Sequence, residues 1–227
     1  MYSGPVAAYA YRPLLGHAID IAVLVGPSHF AGFEGVALYP AGGFETPLGV
    51  VRIDEPFASD LLAAAPIVRA DVAPHGREHS LEMQLPFLQR VAPGAAIVPL
   101  LMGFQTATTA RVLGEAMAVV VGALRGRRAI LVASTDLSHY HDAVEAARLD
   151  RVVIDHVARS DAEGLQRALD VEPDHACGGG PTVAVIRAAR ILGASRSAIL
   201  KYGDSGDVSG DKSSVVGYLA AAFTAEA

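Results

Sequence analysis

Three runs of aliphatic residues dominate the hydrophobic pattern of the chain. They cover residues 19–25, 96–102 and 128–133, and within each run apolar residues follow one another with few interruptions. Such runs are typical of strands buried on both faces of a parallel sheet. We therefore predict three inner strands here and two further strands at 197–202 and 214–223.

The segments between these strands show helical spacing of apolar residues or begin with helix-capping residues. Asp54, with Pro56 two residues later, is typical of a helix start. The helices predicted in this way span residues 2–17, 54–69, 81–91, 108–124, 143–158, 161–169 and 182–192. Two short β-prone pieces at 35–39 and 49–53 predict a hairpin that forms a wall of the pocket.

The alternation of strands and helices predicts a three-layer α/β/α sandwich with a mainly parallel sheet. At 227 residues the chain is long enough for one such domain, so we expect a single domain over 1–227. The predicted helix at 2–17 precedes the first strand, although helices in this kind of fold cross between two parallel strands. We therefore expect that a preceding strand is missing, that strand 19–25 lacks a neighbour, and that Met1 is not the natural start.

The composition of the chain argues against a membrane-spanning protein and against a nucleic-acid-binding protein. Hydrophobic residues make up 52% of the chain, but no apolar run approaches the ~20 residues that span a bilayer. The net charge of −6 (18 basic minus 24 acidic residues), without a basic run, argues against a nucleic-acid partner. No leader pattern opens the sequence, so we expect a cytoplasmic protein without membrane contact.

Polar residues follow two of the aliphatic runs directly. Gly26-Pro27-Ser28-His29 ends the first run, and Asp136 and His139 come shortly after the third. Because parallel strands present their carboxyl ends at one edge, where open sheets bind ligands, these side chains are candidate site residues. A carboxylate three residues from an imidazole can orient it or assist proton transfer. The alternatives are a hydrogen-bonded structural His29, a capping Asp136 and a surface His139.

Glu78-His79-Ser80 precedes the predicted helix at 81–91 and has two interpretations. Ser80 is a candidate cap of that helix, and Glu78 could simply favour its positive end. Equally, His79 could point into the pocket. His141 and the pair Asp155 and His156 are interpreted as surface residues.

Cys177 is the single cysteine, which rules out an internal disulfide. Three glycines follow it and allow the backbone to approach a ligand closely. We expect the helix after them to lower the pKa of the thiol, although a free cysteine is otherwise usually a small core residue. Thiolate and imidazole together suit Fe, Cu or Zn, and do not suit Mg or Ca.

Four motifs in register resemble those of the Memo family, called AmmeMemoRadiSam system protein B in prokaryotes. They are Gly26-Pro27-Ser28-His29, Glu78-His79-Ser80-Leu81-Glu82-Met83, Ser134-Thr135-Asp136-Leu137-Ser138-His139 and Cys177-Gly178. The family resembles the class III extradiol dioxygenases, which are non-haem iron enzymes with a sandwich of this kind. The resemblance implies a metal pocket with His29 and Cys177 as ligands. It also implies that His79, Asp136 and His139 line the pocket, with His139 as the candidate acid/base.

The chain departs from the family pattern in two places. Members usually carry Pro-His-Ala-Gly-Tyr ahead of the segment that begins here at Tyr2, and its histidine is the remaining metal ligand. Some members also have a histidine shortly after Cys-Gly, where this chain has Gly179-Gly180-Pro181.

These observations lead to three functional hypotheses. The first is a metal-dependent, dioxygenase-related oxidoreductase with Fe(II) or Cu, and Zn as a weaker candidate. It would act on a small organic substrate or oxygen, alongside radical-SAM and AMMECR-type partner proteins. The second is a hydrolase or amidase in which Cys177 attacks a carbonyl and Asp136 orients His139. The third is a metal-carrying or partner-binding protein without turnover.

Overall fold

Strands and helices alternate along most of the computed structural model, which describes residues 2–225; Met1, Glu226 and Ala227 lie outside the described residues. The strands are β1 (Ile21–Pro27), β2 (Val36–Leu38), β3 (Gly43–Thr46), β4 (Gly49–Arg52), β5 (Val68–Ala70), β6 (Ala96–Met102), β7 (Ala129–Ala133), β8 (His139–His141), β9 (Arg196–Asp204) and β10 (Val215–Thr224). The α-helices are α1 (Gly4–Tyr11), α2 (Glu55–Ala64), α3 (Leu85–Val91), α4 (Ala107–Ala123), α5 (Ala143–Ala158), α6 (Ala162–Val171), α7 (Gly179–Ile191) and α8 (Gly206–Ser209). Short 3-10 helices cover Arg12–Leu14, Ala73–Gly76, Glu82–Gln84 and Pro173–His175.

A five-stranded sheet in the order β5-β2-β6-β1-β7 forms the middle layer. Strand β1, which lies between β6 and β7, is parallel to both neighbours, so that Val23 lies opposite Val98 of β6 and Leu131 of β7. Strand β2 runs antiparallel to β6 and parallel to β5. The sheet is therefore mainly parallel, as the uninterrupted aliphatic runs predict.

Helices cover both faces of this sheet because β1 is apolar on both sides. Ile21, Val23 and Val25 pack in a core with residues of α2, α4 and α7, whereas Ala22 and Leu24 pack in a second core with residues of α1 and α3. All residues of β1 are buried. The predicted three-layer sandwich is confirmed.

A second, antiparallel sheet stands beside the first, in the order β8-β10-β9. Helices α1 and α5 pack against it. The sequence predicts β9 and β10 but not β8, which is only three residues long and contains His139. This short strand fixes the backbone of a candidate site residue.

Several predicted boundaries shift for local physical reasons. Helix α1 ends at Tyr11 and continues as a 3-10 turn, since Pro13 has no N–H for an α-helical hydrogen bond. Helix α2 ends at Ala64 instead of residue 69, because a residue before proline disfavours the helical conformation and Pro66 follows Ala65. The predicted cap is confirmed, since the Asp54 side chain accepts a hydrogen bond from the Phe57 N–H at 3.0 Å.

The predicted hairpin of residues 35–39 with 49–53 is wrong. Residues 36–38 form the buried strand β2 of the main sheet, and the hairpin pairs β3 with β4. Ile53, just after β4, bridges to Ile97 near the beginning of β6. The hairpin therefore lies toward the edge opposite the carboxyl ends of the parallel strands and forms no wall of the candidate site.

The expectation that the first inner strand lacks a neighbour is also wrong. Strand β1 has β6 on one side and β7 on the other, so its backbone groups are paired along both edges.

Among the described helices, α4 is the longest, with 17 residues. No helix in the described part of the chain is both long and apolar enough to cross a bilayer.

Asp150 of α5 ties the second sheet to the loop that carries Asp136 and His139. Its carboxylate is fully buried and accepts hydrogen bonds from the Ser138 N–H at 2.9 Å and the Tyr202 hydroxyl at 2.8 Å. Both oxygens of Asp150 are thus used. A neutral amide in its place would turn an NH₂ group toward one of these donors.

We therefore expect Asp150→Asn to lower the free energy of unfolding by about 1–3 kcal/mol, the cost of a buried donor without an acceptor. The measurement is urea denaturation followed by circular dichroism. Asp155→Asn on the same helix is the control, since the side chain of Asp155 is 41% exposed and pairs with exposed Arg151, and its loss should cost less than about 1 kcal/mol. Equal losses in the two variants would contradict this role of Asp150.

Candidate functional site

The candidate site lies where β1, β6 and β7 end side by side. The Ser28 N–H donates to the Met102 carbonyl at 3.0 Å, and the Ser134 N–H donates to the Val25 carbonyl at 2.8 Å, so the loops leave the three strands together. His29 stands two residues beyond β1. The prediction that polar residues after separate strands meet at one edge follows from this parallel arrangement.

Glu78 is the most strongly bound side chain of the site and has only 2% of its side chain exposed. One oxygen, Oε2, accepts from the His29 N–H at 2.6 Å. The other, Oε1, accepts from the N–H groups of His79 and Ser80 at 2.8 and 2.9 Å and lies 3.0 Å from His29 Nδ1. Burial alone would raise the pKa of Glu78, but these hydrogen bonds outweigh it and lower the pKa to about 2.

Ser80 does not cap the following helix as predicted. Its hydroxyl is buried and donates to the Pro27 carbonyl at 3.2 Å, which joins this loop to the end of β1. Glu78 likewise serves the loop after β1 and not the positive end of a helix. Both residues hold two loops together, a contact between distant segments that local sequence patterns do not indicate.

His79 stacks against His29. The ring centroids are 5.4 Å apart with an angle of 17° between the planes, and His79 Nδ1 lies 3.7 Å from Glu78 Oε1. The His79 side chain is 59% exposed, against 34% for His29. His79 therefore stands at the outer side of the same carboxylate, next to His29.

The turn before α7 brings Cys177 to the loop after β7. The Asp136 N–H donates to Cys177 Sγ at 3.2 Å, and the Cys177 N–H donates to the Asp136 carbonyl at 3.2 Å. The Gly178 N–H donates to Thr135 Oγ1 at 2.9 Å, and any side chain at Gly178 would clash with the backbone of Ser134. The first of the three glycines is thus needed for close backbone approach, as the sequence predicts, while the other two begin α7.

The expectation that α7 lowers the pKa of the Cys177 thiol is wrong. The pKa of Cys177 is raised to about 11, chiefly by burial and also by the charges of Asp136 and Glu78. Hydrogen bonds from the Asp136 N–H and Thr135 offset only part of this effect. Without a cation nearby, the thiol is therefore protonated at neutral pH.

His139 and Asp136 stand near each other without a close hydrogen bond. His139 Nε2 lies 3.9 Å from Asp136 Oδ2, beyond the range of a direct bond, and both side chains are partly exposed. The pair is arranged so that the charge of Asp136 acts on the imidazole across a short gap.

The predicted site residues thus form two groups. The donor atoms of His29, Glu78 and His79 lie within 4.8 Å of one another; this is the one such group of three or more donors among residues 2–225. Cys177 belongs with Asp136 in the second group. The two groups are neighbours, since the charge of Glu78 raises the pKa of the Cys177 thiol.

Gln105 is a site residue that the sequence reasoning missed. Its side-chain NH₂ donates to the Cys177 carbonyl at 2.7 Å, and its oxygen accepts from the Gly180 N–H at 2.7 Å. It stands three residues after β6, so the rule that selects polar residues after inner strands could have found it. Phe30, over whose ring the Arg77 guanidinium lies at 5.1 Å, was also missed.

Three residues interpreted as surface groups lie outside the site. His141 is exposed, and Asp155 pairs with Arg151 at 2.7 Å on α5. His156 Nδ1 lies 2.9 Å from Asp161 Oδ2, at the start of α6. These contacts are structural.

Comparison with known protein families finds one that spans nearly the whole chain. The family model described as "Memo-like protein" matches residues 1–222. A MEMO1 family protein of Methanopyrus kandleri is 41% identical over 224 residues, which are 98% of this chain and 79% of that protein. A MEMO1 family protein of Methanothermobacter thermautotrophicus is 41% identical over 219 residues, 96% of this chain and 79% of the relative.

A solved structure shares the fold. The crystal structure of an uncharacterised protein from Escherichia coli K12 superposes with a TM-score of 0.60 and covers 93% of this chain and 91% of its own. The two sequences are 19% identical, so this likeness concerns the fold alone.

The raised pKa of the thiol predicts the reactivity of the protein without metal. Alkylation follows the thiolate fraction, which at pH 8 is about 100-fold smaller for a pKa of about 11 than for the ordinary value of 9.0. We expect the rate with iodoacetamide to rise about tenfold per pH unit from pH 8 to 10.

The urea-unfolded protein is the control for this profile, because its one cysteine should titrate near the ordinary value. The position of the midpoint is diagnostic, since burial slows the reaction at every pH. A midpoint in the folded protein at or below that of the unfolded protein would contradict the raised pKa of the thiol.

Proposed function

Because the chain belongs to the Memo-like family, we propose that His29 and Cys177 bind a redox-active metal in a dioxygenase-related, oxidoreductase-like protein. The observation that carries the proposal is the meeting, at one sheet edge, of an imidazole and a thiol that both lie close to buried Glu78. Imidazole and thiolate are ligands of Fe, Cu and Zn, and thiolate is a poor ligand for Mg or Ca. We favour Fe(II) or Cu over Zn because the proposed chemistry is redox chemistry.

The charges around the thiol support a cation at this place. Glu78 and Asp136 make ion-pair contacts with histidines, and within residues 2–225 neither forms a salt bridge with lysine or arginine. A metal ion would offset this negative charge and stabilise the thiolate, so that binding releases the Cys177 proton. When bound, such a metal supplies one-electron and oxygen chemistry.

His139 is the proton carrier in this proposal. Its imidazole is partly buried next to Asp136, and imidazole is the side chain that most often serves as a general acid or base. Asp136 has two roles in this proposal. Its N–H donates to the Cys177 sulfur, and its carboxylate lies 3.9 Å from His139 Nε2, where it can orient the imidazole.

The substrate class that we propose is a small organic molecule or oxygen. On the resemblance of the motifs to AmmeMemoRadiSam system protein B, we also propose radical-SAM and AMMECR-type proteins as partners and the cytoplasm as the place of action. The hydrolase hypothesis is weakened, because a nucleophilic cysteine needs a depressed pKa and the Cys177 thiol has a raised one. Metal carriage without turnover is separated from the proposal by the experiments below.

Metal retention is the first test. Protein loaded anaerobically with Fe(II) or Cu(I) and desalted should keep about one metal ion, and the His29→Ala, Cys177→Ser double variant should lose it. His141→Ala is the matched control, since His141 is exposed and outside the site. Equal amounts of bound metal in the wild type and the double variant, measured by elemental analysis, would contradict the proposal.

Turnover is the second test. His139→Ala should keep its metal and lose ~10²–10⁴ in rate, the usual contribution of general acid/base catalysis, while Asp136→Asn should lose less. The assay is oxygen uptake with a range of catechols by metal-loaded protein. No uptake by the wild type would favour carriage, and loss of metal from His139→Ala would make His139 a ligand.

A further inference from the structure

The carboxylate of Glu78 faces four hydrogen-bond donors. Oε1 accepts from the N–H groups of His79 and Ser80 at 2.8 and 2.9 Å and faces the His29 ring at 3.0 Å, while Oε2 accepts from the His29 N–H at 2.6 Å. A carboxylate oxygen offers about two lone-pair positions. Oε1 is therefore fully used, and burial shields the group from solvent.

This count favours one of two roles for Glu78. The carboxylate lies within ligand distance of His29 and His79, so it could in principle hold a metal with them. To do so through Oε1, which lies 3.0 and 3.7 Å from the two rings, it would have to withdraw an acceptor from buried N–H groups. A role as a hydrogen-bond acceptor leaves all donors satisfied.

The contact with His29 fixes the tautomer of that histidine. An ionised carboxylate can only accept, so the group that faces it, His29 Nδ1, must carry the hydrogen. The lone pair of the neutral ring is then on Nε2, at the opposite side of the imidazole from Glu78. Metal-binding histidines in proteins are commonly held in this way by a carboxylate behind the ring.

Stacking places the His79 ring in parallel with the His29 ring. The ring centroids are 5.4 Å apart and the ring planes are nearly parallel, so the two imidazoles lie face to face. A metal ion bound by both rings would need one nitrogen of each ring to point toward the same position. Nδ1 of His79 is 3.7 Å from the carboxylate, so His79 is held less directly. The carboxylate acts mainly on His29.

We propose that Glu78 is a positioning residue that does not bind the metal but locks His29 in the Nδ1–H tautomer and presents Nε2 as the ligand atom. Two of the four bonds, those from the His29 N–H and the His29 ring, also join the loop after β1 to the loop before the 3-10 helix Glu82–Gln84. The statement about the ligand atom rests on the proposed function. The statement about the tautomer does not, because it follows from the hydrogen bonds of the protein alone.

The first experiment measures the tautomer in metal-free protein. Long-range ¹H–¹⁵N NMR spectra, assigned with His29→Gln, should show a protonated Nδ1 and an unprotonated Nε2 for His29 at pH 8. A protonated Nε2 in the wild type would overturn the proposal, and this readout needs no folded Glu78 variant. In Glu78→Gln the amide NH₂ competes with the donors, so we expect a mixture of the two tautomers.

The second experiment measures metal affinity with Glu82→Gln as the matched control, since Glu82 is exposed in the same segment. We expect Glu78→Gln to bind Cu(I) or Fe(II) ~10–100-fold more weakly with unchanged stoichiometry, as for other groups behind metal-bound histidines. Unchanged affinity, or a change in the ligands detected by X-ray absorption, would contradict the role. Wild type without metal affinity but with the predicted tautomer would instead overturn the proposed function alone.

Discussion

Parallel pairing of β1 with β6 and β7 is the constraint from which the site follows. A strand that is buried on both faces and paired along both edges has no freedom in register, so its end is fixed relative to its neighbours. The loops that carry His29, Gln105 and Asp136 leave three such ends at one edge. Residues that are 107 positions apart in the sequence, as His29 and Asp136 are, become neighbours for this reason alone.

The charge at this edge is set by two carboxylates, of which Glu78 is buried and Asp136 is partly exposed. Hydrogen bonds from backbone amides and the His29 ring hold Glu78 ionised, and burial, together with the charges of Asp136 and Glu78, keeps the Cys177 thiol protonated. The protein without metal therefore stores a buried negative charge beside a neutral sulfur and several imidazoles. Such a site favours a cation that can take both nitrogen and sulfur ligands, which links the fold to the proposed function.

The sequence predicts well what depends on local patterns. The aliphatic run at 96–102 and the helix at 143–158 have the observed bounds because burial and helical spacing leave clear periodicities. Residues 36–38 were misassigned because a three-residue strand has too few positions to show whether it pairs locally or in the main sheet. The thiol pKa was misjudged for a similar reason. The helix after Cys177 is visible in the sequence, but the desolvation and the two carboxylates come from distant segments.

The central claim is that the imidazole of His29 and the thiolate of Cys177 bind one metal ion, and X-ray absorption at the metal edge tests it most directly. Protein loaded with Cu(I) or Fe(II) should show a sulfur scatterer at about 2.3 Å together with nitrogen or oxygen scatterers. The sulfur contribution should disappear in Cys177→Ser. A wild-type spectrum with nitrogen and oxygen scatterers alone would contradict the account.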